Sequence, residues 1–211
     1  MLPCASWRSN ICSACCGDRY PAAPVDDVPA VSDAKLAVAA LVRRAQGGDV
    51  AAFAQLHAEF ARVVHGIVLA HGVRGEAEDV TQDVFLAAYE RLPRLRDAEA
   101  FAGWLCSAAR NAAIDAGRRQ RRRGGVELHD AHQSGRDPAA IAETADAAAK
   151  VLDCIVELPK AYRETLVLRL CEGLDGPEIA ARTGLTHGSV RVNLTRGMAL
   201  LRPLLAARGL P

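Results

Sequence analysis

The stretch LDGPEIAARTGLTHGSVRVNLTRGMALL, Leu174 to Leu201, reads as a short helix, a tight turn and a longer helix. Asp175 and Glu178 stand three apart, the spacing of a capping box. Pro177 falls in the first turn, where a missing N–H does no harm. The short helix PEIAART ends at Gly184, and GLTH leads into a second helix from about Gly188. Short helix, Gly-containing turn and second helix form the helix-turn-helix pattern. Ile179, Ala180, Leu185, Val190 and Leu194 are apolar at positions that pack the two helices together, and Ala180 is small enough for close approach.

Upstream the chain is helical in pattern as well. Hydrophobic residues make up 50% of the 211 residues, many of them Ala, and aromatics only 4%. Such a composition favours helix over sheet. The length suits one large domain or two small ones, at roughly 150 residues per domain. The spacing predicts a helix AKLAVAALVRRAQ capped by Ser32 or Asp33, and a second capped by Asp49 with Phe53, Leu56, Phe60, Val63, Val64 and Ile67 on one face. A third runs from about Glu76 to Leu92, closed by Pro93, and a fourth from about Glu99 to Arg121, stopped by Gly124 and Gly125. Helical pattern resumes from Ile141 to Glu157, and Pro159 opens a further helix. The expected fold is all-α, two small helical domains joined by a flexible linker. Residues 1–31 read as an unstructured Cys-containing extension, 32–123 as the first unit, 124–140 as the linker and 141–211 as the second unit.

Charge is segregated. The formal net charge is +1, yet five arginines fill the six positions Arg118 to Arg123. Ser107 to Arg123 holds six arginines and one acid, Asp115, and Leu185 to Arg208 holds four arginines and no acid. Glu76 to Glu90 holds five acids and no base. Neutrality is therefore a sum of opposed patches. A basic second helix in a helix-turn-helix suits the major groove, its N-terminal residues reaching base edges while arginines hold phosphates. Thr186, His187, Ser189, Arg191, Val192, Thr195 and Arg196 are the candidates there.

Seven cysteines divide unevenly. Cys106, Cys154 and Cys171 lie in apolar helical pattern, where a free Cys acts as a small hydrophobe. Cys4, Cys12, Cys15 and Cys16 crowd the N-terminus. Thiolates suit zinc or cuprous copper. But adjacent Cys15 and Cys16 do not both readily ligate one tetrahedral ion, so no metal and no other cofactor is expected, with Cys12, Cys15 and Cys16, and Cys4 upstream, as the metal candidates. No apolar run approaches the ~20 residues of a membrane span, so neither membrane insertion nor a secretory signal is expected, and the default location is the cytoplasm. There is no phosphate-binding Gly loop, no His-Glu-x-x-His and no nucleophile elbow, so an enzyme is not expected. On the residues alone two functions stay open: a stand-alone helix-turn-helix regulator, and a metal- or redox-responsive interaction protein working through its N-terminal cysteines.

Three segments resemble bacterial extracytoplasmic-function (group IV) sigma factors: AEDVTQDVFLAAYERL, FAGWLCSAARNAAIDAGRRQRR and LPKAYRETLVLRLCEGLDGPEIAARTGLTHGSVRVNLTRGMALLR. The similarity spans residues 36 to about 206, in the family's order and spacing. It implies an initiation subunit of RNA polymerase, with the first unit as sigma region 2 and the second as region 4. It implies core RNA polymerase as a partner, through the β′ clamp and the β flap, with Asp79, Gln82 and Asp83 against the clamp. It implies promoter DNA as a ligand. Arg110, Asn111, Asp115, Arg118 and Arg119 match the family pattern for the −10 element, with Arg122 following, and the helix near Gly188 would read the −35 element. The loop 93–100 would cradle a flipped base, and Trp104 falls with Phe101 and Leu105 on the apolar face. An anti-sigma factor is implied as a further partner. Where many relatives carry Gly-Thr-Val-Lys-Ser-Arg, this chain has Gly188, Ser189, Val190, Arg191, Val192 and Asn193, so no promoter sequence transfers.

Overall fold

The computed structural model describes the backbone of residues 31–122 and 138–210 and the side chains of residues 35–122 and 148–210. The expected N-terminal extension, its four cysteines, Arg123 and most of the expected linker lie outside the described residues. Eight α-helices and no strands are found among those described: α1 Val31–Gln46, α2 Val50–Ala70, α3 Ala77–Arg91, α4 Phe101–Arg122, α5 Pro138–Glu157, α6 Lys160–Leu170, α7 Gly176–Thr183 and α8 His187–Ala207.

Local chemistry sets most boundaries. Asp49 caps α2 by accepting the Ala52 N–H at 3.0 Å. Ser32 and Asp33, expected as caps of α1, lie inside its first turn, because the helix begins one residue earlier, at Val31. The α3 helix has no side-chain cap, but Glu78 and Asp79 sit in its first turn against the positive end of the dipole. It runs into a 3₁₀ turn at Leu92–Arg94 around Pro93, and a second 3₁₀ turn, Ala98–Ala100, precedes α4. The first turn expected of α4 is therefore tighter than α-helical. Asp97 accounts for this by accepting the Glu99 N–H at 2.9 Å. The Gln46 amide donates to the carbonyls of Leu92 and Leu95, at 3.0 and 2.7 Å, and ties this connection to the end of α1. The α5 helix begins at Pro138, three residues before Ile141, where the sequence pattern places its start.

The helix-turn-helix forms as its spacing requires. The Asp175 carboxylate accepts the Glu178 N–H at 2.7 Å, and the Glu178 carboxylate accepts the Asp175 N–H at 2.8 Å, a complete capping box. Gly184 closes α7 at φ 76°, a left-handed conformation that glycine adopts without a Cβ penalty. Thr186 then caps α8, its hydroxyl accepting the Ser189 N–H at 3.1 Å.

Two groups of helices build the core. In α1–α4, Val42, Leu56, Phe60, Phe101 and Leu105 are fully buried, and Phe60 meets Phe101 edge-to-face at 5.4 Å. In α5–α8, Cys154, Ile155, Leu166, Leu201 and Leu205 are fully buried. Gly197 of α8 lies so close to α6 that an added Cβ would stand 2.9 Å from Leu166 Cδ1.

These groups are joined by a third set of contacts. Leu168, Leu174, Ile179, Ala180 and Val190 belong to the same apolar cluster as Phe60, Phe101 and Leu105. The α7 helix packs against α1, α2 and α4, so Ile179 and Ala180, which the sequence assigns only to packing within the helix-turn-helix, also face the first helical unit. At Gly66 of α2 an added Cβ would stand 2.8 Å from Leu168 Cδ2 of α6, so α2 and α6 meet almost backbone to side chain.

Candidate polymerase and nucleic-acid surfaces

The α3 helix buries Val80, Val84, Phe85 and Ala88 and turns Asp79, Gln82 and Asp83 to solvent. These three lie within one turn, and Leu86 and Glu90 continue the same stripe at helical spacing. Leu86 is 61% exposed, an apolar side chain in the middle of an acidic face. Tyr89 is 44% exposed and packs edge-on against Phe53 at 4.9 Å. The sequence reading missed Leu86 and Tyr89. The signal was available, since Leu86 follows Asp79, Gln82 and Asp83 by seven, four and three positions.

Small residues let α4 sit close to the bundle: Ala109, Ala113 and Ala116 are buried behind Phe101 and Leu105. The other side carries Asn111, Asp115, Arg118 and Arg122 at successive turns, all exposed, with Arg119 beside them. Arg118 reaches Asp115 at 3.3 Å, an exposed pair of small energetic value. Trp104 is half-buried against the apolar cluster, 6.0 Å from Phe101, as expected of a core residue.

Arg110 departs from this face. It lies about 100° around the helix from Asn111 and turns toward α6. Its Nε donates to Glu164 Oε1 and Oε2 at 2.8 and 3.1 Å, and its Nη2 to Oε2 at 2.9 Å. His71 approaches the same carboxylate at 3.4 Å. Burial pushes the Glu164 carboxyl up, but the hydrogen bonds and charges of His71 and Arg110 outweigh it and hold it below the usual range. The bond to Glu164 in turn raises the Arg110 guanidinium above its ordinary value. One turn before Arg110, Cys106 is buried and its thiol is pushed up to about 12, chiefly by burial. Its Sγ donates to the Arg182 carbonyl at 3.5 Å, so it bridges to α7 as a thiol.

Around the helix-turn-helix, Thr186, His187, Ser189, Arg191, Val192, Thr195 and Arg196 are all exposed. The side of α8 with Val190 is buried. The Thr186 and Ser189 hydroxyls bond each other at 2.8 Å, which leaves His187, Arg191, Val192, Thr195 and Arg196 as the outward groups. A groove between the start of α7 and α8 is lined by Pro177, His187, Arg191, Leu194 and Thr195.

Among the described residues no cluster of His, Cys, Asp and Glu could hold a metal ion, and no helix is long and apolar enough to cross a membrane. His57 packs tilted against Phe85, ring centroids 4.4 Å apart, and His65 pairs with Glu172 at 3.0 Å.

Residues 56–123 match the model of Sigma-70 region 2, and residues 148–201 that of Sigma-70 region 4. The chain is 34% identical over 169 residues to the RNA polymerase sigma factor CarQ of Myxococcus xanthus, covering 78% of this chain and 95% of that one. It is 31% identical over 156 residues to the ECF RNA polymerase sigma factor RpoE of Cereibacter sphaeroides, covering 73% of this chain and 86% of that one. Among solved structures it is similar to CnrH in complex with the cytosolic domain of CnrY, at TM-score 0.55 and 28% identity over 81% of this chain and 98% of that chain. The all-α fold, the helix-turn-helix and the two matched regions agree, and the chain belongs to the extracytoplasmic-function family of RNA polymerase sigma factors, which act with the polymerase on DNA in transcription initiation.

Proposed function

We propose that the chain directs promoter-specific initiation by dividing the work among three surfaces. The stripe of Asp79, Gln82 and Asp83 docks on the clamp of the polymerase β′ subunit, with Leu86 as its apolar centre. An acidic stripe suits a basic partner and speeds and orients docking, while the apolar centre adds affinity by leaving water. The α4 face of Asn111, Asp115, Arg118, Arg119 and Arg122 opens and holds the −10 element. Asn111 offers both a donor and an acceptor to a base edge, and the arginines hold the backbone. The connection 93–100, tied down by Gln46, cradles an extruded base. The outward groups of α8 read the −35 element in the major groove. The C-terminal unit also meets the β flap.

The observation that carries this reading is a complete helix-turn-helix with an exposed basic reading helix, on one chain with a second exposed Asn–Arg face. A stand-alone regulator needs only the first of these. The family similarity further supports an anti-sigma factor as a regulatory partner, and CnrH, solved with the cytosolic domain of CnrY, supports a protein ligand for this fold. The working location is the cytoplasm, where polymerase and promoter are, and the chain itself carries out no bond chemistry.

The test is run-off transcription from genomic fragments with purified chain and core polymerase. Specific transcripts that depend on the added chain are expected. Tight duplex binding without polymerase and no specific initiation would instead identify a stand-alone regulator.

A further inference from the structure

We propose that α6 is a built-in competitor of promoter DNA: Glu164 and Glu172 clasp the second unit onto the first, withhold Arg110 from the −10 element, and must let go before initiation. The proposal rests on the reading of α4 as the −10 face.

Five inter-unit pairs share one polarity. Arg62 and His65 meet Glu172 at 3.6 and 3.0 Å, His71 and Arg110 meet Glu164 at 3.4 and 2.8 Å, and Arg74 meets Asp153 at 2.7 Å. In each, the base comes from α2, α4 or the loop after α2, and the acid from α5, α6 or the loop after α6. Arg110 presents its Nε and Nη2 to both oxygens of one carboxylate, the forked arrangement that an arginine equally offers a phosphate. Glu164 thus supplies the charge and the paired acceptors that a DNA backbone would supply.

The clasped form also cannot span a promoter. Elements at −35 and −10 lie about 25 base pairs apart, roughly 85 Å of duplex. Yet α4 touches α7, with Cys106 Sγ 3.5 Å from the Arg182 carbonyl, and α4 and α8 are each only about 32 Å long. Val190 of the reading helix is buried in the same cluster as Phe101 and Leu105 of the −10 unit. Both elements can be engaged only after the units part.

The chemistry of the seam suits a reversible closure. The pairs of the seam are partly buried, and desolvation offsets much of their attraction. On opening, Glu164 and Glu172 regain water and Arg110 gains a phosphate, so a partner that binds the open form need supply little to displace them. The seam is close-packed where α2 meets α6, with Gly66 giving Leu168 and Glu172 their room.

The full chain is compared with Glu164→Gln, which removes the competing charge, and Gly66→Leu, which wedges α2 from Leu168 and from Glu172 and leaves Glu164 and Arg110 unaltered. Small-angle scattering reads the radius of gyration, circular dichroism the helix content, and a short fluorescein-labelled random-sequence single strand the DNA affinity. Both variants should keep their helicity, expand, and bind the strand about tenfold more tightly, the gain expected when a binding-competent form rises from a tenth of the population to most of it. Two helical variants with the dimensions and affinity of the parent would overturn the proposal. Expansion without a gain in affinity overturns it as well. In that case Arg110→Ala in the Gly66→Leu chain separates two failures: a further fall in binding leaves α4 as the −10 face and removes only the masking, while no fall removes the −10 reading of Arg110 itself.

Discussion

Arg110 and Arg118 lie eight residues apart on α4 and face different partners, Glu164 in one case and solvent beside Asp115 in the other. An arginine run therefore divides by direction rather than by sequence. Arg118 and Arg119 are exposed and free to meet DNA, so changing both to Ala should impair open-complex formation, read by permanganate footprinting, far more than binding to core polymerase. Equal loss of both would make them structural. On α8 Thr186 and Ser189 bond each other, and Arg191 and Val192 are exposed beside them, the two side chains the proposed −35 reading turns on. Arg191→Ala should cost about 1–3 kcal/mol of −35 binding against a guanine-containing site and relax the preference there. Val192 is 42% exposed and apolar, a side chain suited to a thymine methyl, so Val192→Ser should weaken preference at one T·A pair and leave the rest. Competition binding over a randomised −35 library reads both.

At the scale of elements, the helix-turn-helix is fixed by short-range chemistry. Asp175 caps α7 through a reciprocal bond with Glu178, and Asp175→Ala should cost about 1 kcal/mol in thermal or denaturant unfolding. The packing of α8 on α6 depends on what is missing at Gly197. A methyl there would meet Leu166 and Tyr162 at 2.9–3.1 Å, so Gly197→Ala should destabilise the second unit by about 1–3 kcal/mol despite its better helix propensity. Unchanged or raised stability would show that α6 yields without cost. Helix existence was legible from periodicity, and the capping box from spacing. The 3₁₀ entry to α4 was not, because it depends on the Asp97 carboxylate and on Gln46 reaching across from α1.

For the whole molecule the closure of the two units sets a pH dependence. Glu164 is held below its ordinary value of 4.5 in the folded chain, so its contribution to stability is complete above that pH and is lost as pH falls through the lower folded value. Protonation removes the charge that Arg110 and His71 hold. Stability measured by denaturant from about pH 6 downward should fall below about pH 4.5 in the parent, and Glu164→Gln should flatten that part of the curve. An identical curve in the variant would mean that other carboxylates dominate.

The amino-acid sequence determined the class of fold, the helix-turn-helix and the acidic and basic helices, because each rests on spacing of 3 to 4 residues or on local charge. Those signals live within one or two turns and need no partner. The tertiary structure alone decided which charges are free. Arg110 and Glu164 are 54 residues apart, and His65 and Glu172 are 107 apart, separations at which pairing leaves no periodic trace. It also decided that Ile179 and Ala180 serve two interfaces at once. An apolar helix face shows in sequence that it will be buried, and only the packed chain shows against what.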